Sequence, residues 1–348
     1  MCDGKPATPP LSPRRRARPD GLRDSLTVVS FLGVATTVAM IVLGSTVRVT
    51  NSGMGCRSWP LCNGQIGPID HFHALLEQSH RYLATVVSLL VVATALLAWR
   101  DRHRRPGPLF PAMAAVGALV VQVGLGALTV LAHNAGWTVG LHLVCAEILL
   151  ALLAVAAYRA GSPRGRAYRR SDTPARRRLL DRHPLRGRGR LLAGRDPWAV
   201  AAVGLLITTM VAGTLVVDGG AEEACPSWPL CPGGPPGHLV ALQLIHRGCA
   251  AGAGIAVLVW ARRLWRRHHL RAGPAVLVAL LALQGAAGGV TAVVEARAGA
   301  ADVHLALGTL LWLAASVLAF GGGTPRRALP ETGQHQPLVA AGAPGAAR

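Results

Sequence analysis

Charge is what this sequence is short of. Only 15% of its 348 residues are Asp, Glu, Lys or Arg, against about 25% in soluble globular domains, while 51% are hydrophobic. That balance excludes an ordinary water-soluble fold. Acids are scarcest, 16 against 36 basic residues, giving a formal net charge of +20. In a soluble chain such an excess would point to nucleic acid. Here the arginines fall in the tails and in alternate loops, and the loops between them carry almost none. Membrane proteins keep their basic loops inside in this way, so the charge reports topology and no nucleic-acid partner is expected. A cleavable signal peptide is not expected either: Met1 to Arg23 is rich in Pro and Arg, and the first apolar run is long enough to span. Cys2 precedes that run, which excludes a lipoprotein signal.

A helix needs roughly 20 apolar residues to cross hydrocarbon, and eight runs qualify: 26–47, 74–99, 109–131, 138–158, 197–217, 239–261, 274–294 and 301–320. The basic clusters at Arg100, Arg102, Arg104 and Arg105 and at Arg262 to Arg271 fall on one side. The expectation is an all-α integral membrane protein with eight transmembrane helices, arranged as two pseudo-symmetric four-helix bundles, 25–158 and 196–321. A basic tail (1–24) and a Gly/Pro/Ala-rich tail (322–348) are expected to be disordered and cytoplasmic. The Arg-rich segment 159–195 has too little apolar content to fold alone and reads as a cytoplasmic linker. The plasma membrane is the expected location, with both termini inside.

The halves repeat each other. Cys56-Arg57-Ser58-Trp59-Pro60-Leu61-Cys62 returns as Cys225-Pro226-Ser227-Trp228-Pro229-Leu230-Cys231, and Glu77-Gln78-Ser79-His80-Arg81 returns as Gln243-Leu244-Ile245-His246-Arg247. Gln122, Thr129 and His142 match Gln284, Thr291 and His304 at equal offsets. Four spans per half give the two repeats one orientation.

Four histidines, His80, His142, His246 and His304, thus stand near the outer ends of spans as two repeated pairs. Ionisable groups inside a membrane usually face the bundle interior and serve function. A single interfacial imidazole hydrogen-bonded to backbone would be unremarked; two pairs at equal depth point to ligation. Facing helices of a bundle build cofactor sites, and two opposed imidazoles suit an iron porphyrin. Zinc would need a third and fourth ligand. Gly124, Gly126, Gly285, Gly288 and Gly289 would admit a flat macrocycle to the helix backbone, or serve only tight helix packing. Arg81 and Arg247 follow their histidines directly, where they could pair with porphyrin propionates or reach lipid headgroups.

The cysteine pairs Cys56–Cys62 and Cys225–Cys231 fall in outer loops, on the oxidising side where disulfides persist. Two intraloop disulfides are expected, either as structural staples or as redox-active pairs. Cys145 and Cys249 lie within spans and read as small core residues. Glu77 is three residues before His80, on the same helical face, whereas Gln243 cannot ionise. A carboxylate beside one histidine pair alone suggests chemistry in the first half. A helix-dipole role would explain a Glu there but not its register with His80.

Together these residues resemble the heme A synthase family, cysteine-pair type. The resemblance rests on Gly44-Ser-Thr-Val-Arg48, Thr50-Asn51-Ser52-Gly53, the Trp-Pro-Leu-Cys loop through Gly64, Glu77-x-x-His80-Arg81 and the repeated histidines. It implies an oxidoreductase that converts the C8 methyl of heme O to the formyl of heme A for terminal oxidases. It also implies substrate heme at His80 and His142, and heme b at His246 and His304. Heme O would come from a heme O synthase. An electron donor or acceptor is implied without being identified, and a homo-oligomer is compatible. Arg57-Ser58 departs from the Pro-Asp common in the family. Two other readings stay open on the residues alone. A diheme b-type electron-transfer protein would leave the Glu/Gln asymmetry unexplained, and a membrane thiol–disulfide oxidoreductase would leave the histidines unexplained.

Overall fold

The computed structural model describes residues 25–56, 58, 61–62, 64, 71–103, 105–162, 196–231, 237–267, 271–294 and 298–322. The expected tails (Gly322 apart), the linker from 163 to 195, and Arg57, Trp59 and Pro60 of the first cysteine loop lie outside the described residues. The described residues form eight long helices: α1 (Ser25–Val49), α2 (Phe72–Arg100), α3 (Leu109–Leu131), α4 (Gly136–Gly161), α5 (Pro197–Asp218), α6 (His238–Arg267), α7 (Ala272–Val293) and α8 (Ala298–Phe320). All eight are long and apolar enough to cross a membrane, so the chain is a multi-pass membrane protein. In hydrocarbon, backbone groups must be satisfied within the segment, and a helix achieves that.

Helix ends follow local chemistry. After α1 the chain turns at Asn51, whose φ of 54° is the left-handed conformation that Asn and Gly tolerate best. The Ser52 amide then donates to the Val47 carbonyl at 2.8 Å. Gly220, at φ 64°, closes α5 in the same way, with the Ala221 amide donating to Val216 at 2.8 Å. The duplication therefore extends to the turns. At the ends away from the cysteine loops two helices outrun their expected spans. α6 continues past Ala261, where Arg263 Nε donates to Asp196 Oδ2 at 3.0 Å. α4 continues to Gly161, into the expected linker. There Arg159 donates to the carbonyls of Gly107 at 3.1 Å and Phe320 at 2.8 Å.

The helices of the first half pack in the cycle α1–α2–α3–α4–α1, and those of the second in the cycle α5–α6–α7–α8–α5. Between halves α4 packs on α5, α1 on α8, and α4 on α8. The first two of these contacts are equivalents of each other under the repeat, and the third is its own equivalent. Small residues let the backbones approach, as membrane helix packing requires. A methyl added to Gly140 would stand 2.9 Å from Thr214 Oγ1. The second-half core gathers Trp260, Leu277, Leu311, Trp312 and Ala315. Large apolar side chains such as Leu89, Leu96 and Val120 are exposed, which suits a surface facing lipid.

Arg159 joins the end of α4 to the turn before α3 and to the last residue of α8. Arg159→Ala should lower the thermal stability of the purified protein, at about 1–3 kcal/mol for lost hydrogen bonds to a charged group. Thermal unfolding in detergent measures it.

Candidate functional site

Each histidine is seated by a glycine on a neighbouring helix. A methyl on Gly44 of α1 would approach Cε1 of His80 to 2.9 Å, and one on Gly126 of α3 would approach Cε1 of His142 to 3.1 Å. The second half repeats this, with Gly213 of α5 at 3.1 Å from Cε1 of His246 and Gly288 of α7 at 2.9 Å from Cε1 of His304. Substitution at any of the four would push an imidazole from its place. Gly126 and Gly288 thus make room for the ring of a histidine. Gly289 faces the ring of Trp228, while Gly124 and Gly285 face open space. The sequence reading used Gly44 only as part of the family resemblance and gave Gly213 no role. Their signal was that each stands the same distance before its cysteine loop.

α2 and α4 are opposite members of the first cycle, and α6 and α8 of the second. The rings of His80 and His142 lie within electrostatic reach of each other, as do those of His246 and His304. Three of the four, His80, His142 and His304, have a buried Nδ1 without a hydrogen-bond partner. His246 Nδ1 lies 3.1 Å from the Thr209 carbonyl. Gln122 Nε2 stands 3.2 Å from His142 Nε2, and Gln284 Nε2 stands 3.5 Å from His304 Nε2. Gln–His contacts are thus duplicated along with the histidines. Among the described residues no group of three or more His, Cys, Asp and Glu side chains could hold a metal ion. Two imidazoles per half suit an ion already held by the four nitrogens of a macrocycle. In the second half a cavity of about 450 Å³ opens under Trp228, lined by Gly285 and Gly289.

The cysteine loops lie at the ends of the helices that carry the histidines. Cys56–Cys62 and Cys225–Cys231 are both disulfide-bonded, with Cα separations of 4.7 and 5.4 Å, and Cys145 and Cys249 are free. The arginines hold the loops. Arg81 donates to the Ser58 carbonyl at 2.6 Å and pairs with Glu77. Arg247 donates to the carbonyls of Ser227 at 2.8 Å and Cys225 at 2.9 Å.

Glu77 and Gln243 do matching work with opposite polarity. Glu77 is 5% exposed and its Oε2 accepts from the Cys56 amide at 2.7 Å. Gln243, 8% exposed, donates instead, to the carbonyls of Ala221 at 2.8 Å and Glu222 at 3.1 Å. Both side chains tie the loop to the helix that carries the histidine. Only Glu77 also brings an ionisable group, one helical turn from His80.

Comparison with known proteins adds a family. Residues 27–73 and 69–316 match the family described as cytochrome oxidase assembly protein, COX15-CtaA. A heme A synthase of Symbiobacterium thermophilum is 32% identical over 274 residues, 76% of this chain and 84% of that protein. A heme A synthase of Shouchella clausii is 27% identical over 283 residues, 78% of this chain and 87% of that protein. A protoheme IX farnesyltransferase of Halobacterium salinarum is 33% identical over 135 residues, 37% of this chain and 29% of that protein.

Non-reduced peptide mapping should recover Cys56–Cys62 and Cys225–Cys231 as two within-loop pairs, with Cys145 and Cys249 as thiols. Cross-loop pairing would contradict the arrangement of the two lids.

Proposed function

We infer function from the premise that this chain belongs to the COX15-CtaA cytochrome oxidase assembly family: it is a heme A synthase, which oxidises heme O to heme A. The observation that carries the reading is the pair of opposed, glycine-seated histidines in each half, along a match that spans both halves. The reading assigns heme O to the first half, between His80 and His142, with its C8 methyl as the group oxidised. It assigns a resident heme b to the second half, between His246 and His304. The residues fit such groups: the donor set is two imidazoles, and unpartnered ring nitrogens occur in both halves.

The bound iron porphyrin supplies a one-electron redox centre. The chain's own residues do the rest. His80 and His142 would hold the substrate, and His246 and His304 the resident group. The glycines opposite them fix the ring positions. The disulfide-closed loops, clamped by Arg81 and Arg247, cover the outer ends and limit the entry of water. The same two arginines, adjacent to the ligands, are the proposed partners of the porphyrin propionates. Glu77 is the proposed proton acceptor of the first half. A carboxylate has about four lone-pair sites, so acceptance of the Cys56 amide and the Arg81 ion pair does not exhaust it. A farnesyltransferase acting on protoheme IX is among the relatives, which supports a place in the heme O pathway, with heme O delivered by another enzyme. The electron partner is not identified by the site, and the basic loops are proposed to face the cytoplasm across the plasma membrane.

Glu77→Gln keeps an acceptor for the Cys56 amide and removes the charge. It should leave the protein folded and heme-loaded but slow conversion of heme O by about 10²–10⁴-fold, the usual contribution of a general acid–base group. Heme A formed per heme-loaded enzyme is the measurement, and near-normal turnover would reduce Glu77 to a loop anchor.

His246→Ala should remove heme b and leave the first half able to bind heme O. Pigment extraction with an absorption spectrum checks this. Equal loss of both pigments would show that the halves do not hold separate sites.

A further inference from the structure

The seam between the halves contains an acid that the reading above leaves without a task. Glu147, on α4, is 0% exposed and lies within a spanning helix. Its Oε1 accepts from Thr309 Oγ1 of α8, and Trp312 Nε1 donates to its backbone carbonyl at 2.8 Å. Its Oε2 is buried with no hydrogen-bond partner. Glu147 and Thr309 are 162 residues apart, the separation that also relates His142 to His304. They are therefore duplicates of one position, and they touch each other where α4 packs on α8. Duplicates in contact mark the axis of the repeat. Glu147 sits five residues, about 7.5 Å of helix rise, inward of His142, and Thr309 stands likewise to His304.

A pin between two helices does not require an acid. Neutral Ser, Thr, Asn and Gln side chains make such bonds in membranes, and the duplicate position is itself a Thr. An ionisable side chain inside a span is costly and marks proton or ion pathways. The titratable groups on α4 and the helices packed against it are few. α1 brings Arg48, α5 brings Asp218 and α8 brings Asp302, all towards the outer ends; α3 brings none; α4 itself has Tyr158 and Arg159 at its inner end. Only His142, His304 and Cys145 stand nearer the depth of Glu147. Two turns inward of Thr309, on the same face of α8, the buried hydroxyl of Ser316 is also unpartnered.

We propose that Glu147 is a proton site shared by the two halves, taking up a proton when an electron reaches a heme iron on either side of the seam and releasing it when that electron leaves. The proposal rests on the heme reading above. One electron converts ferric to ferrous iron. In the test it comes from an electrode through a small-molecule mediator. One proton from water bonds the free oxygen of the carboxylate. The apolar seam then gains no net charge, which a lone buried ion would make costly.

The test is a potentiometric titration of the purified, heme-loaded full chain at a series of pH values across neutrality, read by heme absorbance. The wild-type midpoint should fall as pH rises, by up to about 59 mV per pH unit, the one-electron equivalent of a tenfold change. In Glu147→Gln the dependence should vanish while heme content and spectrum stay those of the wild type. Thr309→Val, which keeps the acid, should retain it. If Glu147→Gln does not accumulate, Glu147→Asp must displace the pH at which the slope changes, and an unmoved profile overturns the proposal. A flat wild-type profile, or full dependence in Glu147→Gln, overturns it too. Protein without heme would overturn the heme reading and this proposal together, whereas heme-loaded protein with a flat profile overturns this proposal alone.

Discussion

A polar side chain inside hydrocarbon has to find a partner, and here four imidazoles set that demand. The helices satisfy their own backbone, so nothing in the spans is obliged to answer a histidine. The chain answers with space. Gly44, Gly126, Gly213 and Gly288 lie against the four rings, and Nδ1 of His80, His142 and His304 remains unmatched. Buried polar groups are usually hydrogen-bonded. Open nitrogens in repeated, glycine-lined seats are what the proposed heme sites would need.

The seats depend in turn on the loops above them. Glu77 and Gln243 occupy the same register of α2 and α6, and each reaches the backbone of its own cysteine loop. Arg81 and Arg247, one turn further, reach the same loops. The disulfides shorten the loops, and these side chains fix them to the helices that bear the histidines. Each loop is therefore tied to the helix that bears its histidine.

Much of this was legible in the sequence, for separable reasons. Helix number followed from hydropathy, since only runs of about 20 apolar residues can span. The two disulfides followed from the duplication, which also set the four histidines at matching places. Helix ends away from the cysteine loops did not: hydropathy reads where the apolar run stops, and Arg159 and Arg263 extend α4 and α6 by pairing beyond it. The partners of Glu77 were also hidden, because Cys56 is 21 residues away across a loop of no fixed geometry. Glu147 had no part in the sequence reading. Its meaning emerges only when the two halves are brought together and it meets its own duplicate.

That meeting makes a pattern of the asymmetry between the halves. Among the described residues two acids are buried, Glu77 and Glu147, and both belong to the first half. Their counterparts carry no charge: Gln243 donates to its cysteine loop where Glu77 accepts, and Thr309 donates to Glu147 itself across the seam. What differs between the halves is the capacity to hold a proton. A buried carboxyl is costly in hydrocarbon, and at the register of Glu77 the second half ties its loop with a neutral amide. Retention of both acids on one side is what a scaffold with two similar ligand seats would need if proton-coupled chemistry took place beside only one of them.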